Sequence, residues 1–219
     1  MVPKFAVQVP KTIKQAAASS FKEEWLEARF RELGRLEEMD TWELVEAPPR
    51  ANILGTKWVF ALKTHPDGTI SKHKARLVCQ GFGQKEGVDF EETFANTAGK
   101  TTIRVFFALV CSLGLKVKQI DVTGAFLYGQ ADKEIYVRQP PGHDDGTGRV
   151  CRLRRALYGL KQAPRIWEET LRASLNGIGF KGSDIDPSLY LAQKDGEMVL
   201  LLDFVDDMLI ASRLDAHTE

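Results

Sequence analysis

The 219-residue sequence predicts an α+β fold, and three observations carry that prediction. Extended segments come as hairpin pairs: Thr56–Lys63 returns as Ile70–Gln80, and Leu200–Phe204 returns as Met208–Ser212. Helical periodicity is confined to separate stretches near 21–38, 103–113 and 164–176. The glycine-rich stretch Gly81–Gly87 lacks GxGxxG spacing and no helix pattern follows it directly, which disfavours a doubly wound parallel sheet.

Composition bounds the rest. At 43% hydrophobic and 27% charged residues the chain can build a real core, and no apolar run reaches the length of a membrane span. Cys79, Cys111 and Cys151 are odd in number and widely spaced, which fits neither a disulfide framework nor a zinc site and suggests a reducing, intracellular setting. Net charge is zero, yet residues 51–181 carry 20 basic and 12 acidic side chains, while 182–219 carry 2 and 9. A basic middle and an acidic end suit a polyanion held by one and a metal held by the other, or simply unevenly distributed solvated charge.

Taken in order, Ser20-Phe-Lys-Glu23 is a capping-box pattern opening a helix to about Glu38, with Phe21, Trp25, Ala28, Leu33 and Leu36 as its apolar stripe. Trp42 and Leu44 begin a short extended piece closed by Pro48-Pro49. In Thr56–Lys63, Trp58, Phe60 and Leu62 share one face. His65-Pro-Asp-Gly68 is the turn, since Pro presets the backbone and Gly tolerates positive φ. On the return strand Lys72, Lys74 and Arg76 fall two apart, making either a phosphate site or a solvated sheet face.

Thr101-Thr102 can cap a helix over Ile103–Leu113 that Gly114 closes, and its near-continuous apolar character predicts deep burial of Val105, Phe106, Phe107, Leu109 and Val110. Leu115–Asp121 is the next strand, followed by a turn and short helix over Val122–Gly129. Another short strand is expected within Asp132–Gln139. Arg149–Arg172 is basic, with Arg152, Arg154, Arg155, Lys161 and Arg165 interleaved with Tyr158 and Trp167, a mixture that suits a nucleic-acid groove. Pro164 suits the first turn of a helix that Gly177 stops. Leu200–Ser212 then reads as two short buried strands joined by a tight turn at Asp206-Asp207. Like charges roughly 4 Å apart cost about 4 kcal/mol at an effective dielectric of 20, so solvent, a basic group or a divalent metal should offset them. Period-2 alternation puts Asp203 on the same side as Val205 and Asp207.

One acid ending a strand, Asp121, two more in a hairpin turn, a basic stretch between and a cationic hairpin before are the parts a nucleotidyl transferase needs. The sequence resembles the reverse transcriptase domain of copia-type (pseudovirus) LTR retrotransposons. The resemblance runs through Lys57-Trp-Val-Phe60, Lys74-Ala-Arg-Leu-Val78, Gly81-Phe-Gly-Gln84 and Gln119-Ile-Asp-Val-Thr-Gly-Ala-Phe-Leu-Tyr-Gly129. It continues in Ala156-Leu-Tyr-Gly-Leu-Lys-Gln-Ala-Pro-Arg165, Asp186-Pro-Ser-Leu-Tyr190 and Phe204-Val-Asp-Asp207.

The resemblance implies a polymerase fingers and palm of the right-hand type in residues 42–219, behind a helical extension over 1–41, with the thumb absent. It implies that Asp121, Asp206 and Asp207 are catalytic and hold two Mg²⁺ ions, with Mn²⁺ a possible substitute. Lys74, Arg76, Phe126, Tyr158 and Gly159 would bind the deoxynucleoside triphosphate, Phe126 as the gate against a ribose 2′-hydroxyl. Arg152, Arg154, Arg155, Lys161 and Arg165 would bind an RNA or DNA template with its primer, and no membrane is implied. The expected activity is RNA-directed DNA polymerisation; the alternative is an inactive retrotransposon remnant that at most binds nucleic acid. Two departures bear on that choice: Phe204 stands where the family commonly has Tyr, and Asp203 stands where an apolar residue is usual.

Overall fold

The computed structural model describes residues 7–214. The outermost residues of the two expected segments, 1–6 and 215–219, lie outside the described residues. In chain order the elements are α1 (Ile13–Ala17), α2 (Lys22–Glu38), β1 (Trp42–Val45), β2 (Ile53–Leu54), β3 (Thr56–Thr64), β4 (Ile70–Cys79), α3 (Lys100–Leu113), β5 (Lys116–Asp121), β6 (Tyr136–Val137), β7 (Val150–Leu153), α4 (Ala163–Gly177), β8 (Lys181–Gly182), β9 (Leu189–Lys194), β10 (Glu197–Phe204) and β11 (Asp207–Ser212). Short 3₁₀ turns stand at Gly81–Gly83 and Ala125–Tyr128. Mixed helices and mainly antiparallel sheets make the fold α+β, as predicted. Among the described residues no helix is long and apolar enough to cross a membrane. The chain forms two compact units: one runs through Glu91 and includes Gln130–Ala163, the other comprises Glu92–Gly129 and the stretch from Pro164 onward.

In the first unit β3 and β4 pair antiparallel from Thr56↔Cys79 outward, and Trp58, Phe60 and Leu62 are buried on one face as the alternation predicts. Helix α2 packs on β4, with Trp25 fully buried edge-on to Phe60 at 5.3 Å. The predicted capping box does not form. Phe21, not Ser20, occupies the cap position and gives no side-chain bond; Ser19 Oγ instead accepts from the Phe21 N–H at 3.1 Å. The stripe also differs from its expectation, because Arg29 and Glu32 are buried beside Trp25, Ala28 and Leu36. Desolvation pushes the Glu32 carboxyl up, and Arg35 opposes the shift. A second sheet, in the order β1-β7-β6-β2, completes this unit. Cys79 and Cys151 are buried free thiols pushed up to about 12 by desolvation, and Cys111 is exposed.

The second unit is a five-stranded sheet, order β5-β11-β10-β9-β8, with a helix on each face. Alternation along β10 and β11 divides the side chains. Val199, Leu201, Met208 and Ile210 join Trp167, Leu171 and Leu175 of α4. Leu200, Leu202 and Ala211 join Phe106 and Val110 of α3. Deep burial of α3 is not observed: Phe106 and Val110 are buried, whereas Val105 is 46% and Phe107 44% exposed. An apolar run along a helix wraps its whole circumference, and this sheet covers one side of it. The threonines do not cap α3; Gly99 holds that position, and Thr102 Oγ1 donates to Asp186 instead. At the other end Gly114 takes the left-handed conformation, as expected.

Candidate active site

Strands β10 and β11 pair through Phe204↔Asp207, so their turn consists of Val205 and Asp206, one residue earlier than the expected Asp206-Asp207, and Asp207 already belongs to β11. Val205 has φ 64°, a left-handed backbone that a β-branched residue rarely adopts. Trp167 Nε1 donates to the Val205 carbonyl at 2.6 Å, and the Asp206 carbonyl accepts from the Val122 N–H at 2.8 Å. These bonds tie the turn to α4 on one side and to the segment after β5 on the other.

Across β11 and β5 the register places Asp207 directly opposite Asp121. Asp121 and Asp207 are exposed and Asp206 is half-buried. Gln119, two residues before Asp121 and so on the same face, donates through Nε2 to Asp207 Oδ1 at 3.1 Å. The sequence motif contained Gln119, but nothing in it indicated this partner. Three carboxylates are thus gathered at one end of the sheet by backbone pairing alone. Their donors are all oxygen, the kind Mg²⁺ prefers. Among the described residues no three His, Cys, Asp or Glu side chains stand close enough together to hold a metal ion.

Asp203 does not share a side with Asp207. The two-residue turn reverses the chain, so alternation does not run through it: Asp203 pairs with Met208, on the face toward α4. There it is 5% exposed, and its Oδ1 has no hydrogen-bond partner. Desolvation, then the nearby Glu168 charge, pushes its carboxyl up to about 7, against a bond from the Val205 N–H. Phe126 is half-buried against the α4-side core, in the 3₁₀ turn that Gly124 opens.

In the first unit, Lys74 and Arg76 lie opposite Ala61 and Val59 on the face of the β3–β4 hairpin away from Trp58. The Arg76 guanidinium lies over the Tyr158 ring at 4.7 Å. Gly159 follows at φ 90°, and a Cβ there would stand 2.1 Å from the Cys79 carbonyl oxygen. That contact joins the two motifs: the Cys79 N–H bonds the Tyr158 carbonyl at 2.7 Å, and a Cβ on Gly81 would stand 2.0 Å from the Gly159 carbonyl. Gly159→Ala is therefore expected to destabilise the first unit by roughly 3 kcal/mol or more, from backbone overlap plus the left-handed conformation. Urea denaturation monitored by circular dichroism checks this, and a midpoint unchanged from the parent would refute it.

The basic stretch is less open than its composition indicates. Arg152 pairs with Glu43, and Arg154 with both Asp40, at 2.7 Å, and Glu43. Arg165 pairs with Glu169 at 2.7 Å and donates to the Glu92 carbonyl at 3.0 Å. Lys161 lies over the Phe90 ring at 4.5 Å, and Arg155 bridges antiparallel to Gln130. Trp167 is a core residue rather than a ring for stacking bases. Its sequence neighbourhood is basic, but its helical phase points it inward with Leu171 and Leu175.

The reverse transcriptase (RNA-dependent DNA polymerase) family model matches residues 39–217, and the chain belongs to that family. Its relatives include the retrovirus-related Pol polyprotein from transposon RE2 of Arabidopsis thaliana, 39% identical over 92% of this chain. That from transposon TNT 1-94 of Nicotiana tabacum is 38% identical over 93%, and the Ty1-LR2 Gag-Pol polyprotein of Saccharomyces cerevisiae is 31% identical over 88%. The chain spans 14%, 16% and 11% of the lengths of these three relatives. It is a reverse transcriptase domain of the kind found in copia-type retrotransposon Pol polyproteins.

Proposed function

We propose that this domain catalyses template-directed addition of deoxynucleotides to a primer, with the second unit serving as palm and the first carrying the fingers. The observation that carries the reading is the register of β5 with β11, which sets Asp121 opposite Asp207 with Asp206 in the adjoining turn. Asp121, Asp206 and Asp207 would hold two Mg²⁺ ions, their side chains closing on the metals. When bound, such ions make the primer 3′-hydroxyl more nucleophilic and neutralise charge on the departing pyrophosphate. The hydroxyl attacks the α-phosphorus, the bond to the bridging oxygen breaks, and pyrophosphate leaves. Gln119 would hold Asp207 in orientation.

Lys74 and Arg76 would bind the triphosphate, and Tyr158-Gly159 would form the turn beneath the templating base. Arg152, Arg154, Arg155, Lys161 and Arg165 would track the nucleic-acid backbone, three of them by exchanging a carboxylate for a phosphate. Phe126 would close the sugar site against a 2′-hydroxyl. An inactive remnant is the second reading, favoured by the buried, unpartnered Asp203 oxygen. Mg²⁺-dependent primer extension on an RNA template separates the two readings: extension supports the proposal, and its absence from a folded sample supports the remnant. Phe126→Ala is expected to lose on the order of 10-fold or more of the discrimination against ribonucleotides, the scale of one steric or packing contact. Competition between ribo- and deoxynucleotides in single-turnover extension measures it, and an unchanged ratio would place Phe126 in the core alone.

A further inference from the structure

A cleft of about 340 Å³ in the second unit lies between the segment that precedes α3, the start of α4 and the end of β10. Pro164, Trp167 and Val205 form its apolar wall, and Asn96, Glu168 and Asp203 its polar one. We propose that this cleft binds a small organic cation: an amidinium, guanidinium or primary ammonium group carried on a flat apolar body.

The two acids differ in what they lack. Glu168 is satisfied, accepting from Asn96 N and Nδ2 at 2.7 and 2.6 Å and from Arg172. Asp203 lines the same cleft almost wholly buried, and its Oδ1 receives no donor. No lysine or arginine lines the cleft, and Arg172 is committed to Glu168. A ligand in the cleft would supply a donor to it, and a positive one meets two carboxylates rather than one. The adjoining indole and proline favour a planar body behind the charged group. A metal ion suits the site poorly, since among the described residues no third acidic, histidine or cysteine side chain joins the pair.

The test uses benzamidine as the probe and neutral benzamide as its isostere, on the intact chain at pH 8, read by thermal shift and ligand-observed NMR. The other titratable and charged groups facing Asp203 are Glu168 and Arg172 of α4 and Tyr190 of β9. Benzamidine is expected to raise the unfolding temperature with concentration and to bind about tenfold or more tightly than benzamide, the scale of one charge-assisted hydrogen bond. Asp203→Val, which keeps the cleft and restores an apolar strand residue, is expected to abolish that preference. Equal binding of the two probes, retained preference in Asp203→Val, or no binding at millimolar probe would each overturn the proposal. Because the readout is binding, the result stands apart from whether the domain polymerises.

Discussion

Asp206→Asn is expected to reduce Mg²⁺-dependent primer extension by on the order of 10²–10³-fold or more while leaving the fold intact. The substitution is nearly isosteric, and it leaves in place the bonds that the Asp206 carbonyl and Trp167 make to the turn backbone. The unfolding midpoint should move little. What is lost is a charge poised where the transition state accumulates charge of its own, and removing one such element has costs of this size. Asp121→Asn should behave alike, because it faces Asp207 across the β5–β11 pair. Asp184→Asn, at an exposed acid elsewhere in the same unit, should leave extension unchanged. Single-turnover extension with all three variants checks the prediction. Activity within a few-fold of the parent in Asp206→Asn would remove this carboxylate from the chemistry and with it the proposed mechanism.

Asp203→Val is expected to stabilise the second unit, by roughly 4 kcal/mol at most above pH 7. The magnitude follows from a carboxyl raised from 3.8 to about 7, at about 1.36 kcal/mol per unit. The sign follows from linkage. The folded state binds the Asp203 proton more tightly than the unfolded state does, so between about pH 4 and 7 stability falls as pH rises. Below that window both states hold the proton and the penalty disappears; above it the penalty is complete. The stability difference between variant and parent should therefore grow from pH 5 to pH 8 and then level off. Urea denaturation at several pH values measures it, and a pH-independent difference would show that Asp203 is not held neutral by burial. Glu168 and Arg172, which face the same space, are common to both proteins and largely cancel in the comparison.

How much of this was legible in the sequence depended on whether a signal was local. The β3–β4 hairpin and the β10–β11 hairpin followed from alternation and turn residues, and the family motifs pointed to Asp121, Asp206 and Asp207. What failed was tertiary. Ser20 has the right spacing for a capping box, yet the chain enters α2 by another route. Val105 and Phe107 of α3 stay nearly half exposed, and no window of sequence states how much of a helix a sheet will cover. Glu43 and Asp40, which pair with Arg152 and Arg154, lie more than 100 residues away in sequence, in β1 and just before it, so the basic stretch looked freer than it is. Asp203 was visible as a misfit, but its side of the sheet depended on the turn falling at Val205-Asp206 rather than at Asp206-Asp207. Arg29 and Glu32 carried no signal of burial at all.

The sheet order of the second unit also bears on how the chain leaves the ribosome. Among the described residues strand β5 is an edge strand whose one partner in the sheet is β11, which follows it late in the sequence. More than 80 residues separate the paired Asp121 and Asp207, which is roughly 4–17 s of synthesis at 5–20 residues per second. During that interval the first unit gains its returning segment, Gln130–Ala163, and can close, while β5 waits with its hydrogen-bonding edge bare. The acidic cluster thus comes into being only once β11 has been made and inserted between β5 and β10. Until then the nascent chain carries a first unit that can be complete and a second one whose carboxylates are not yet assembled.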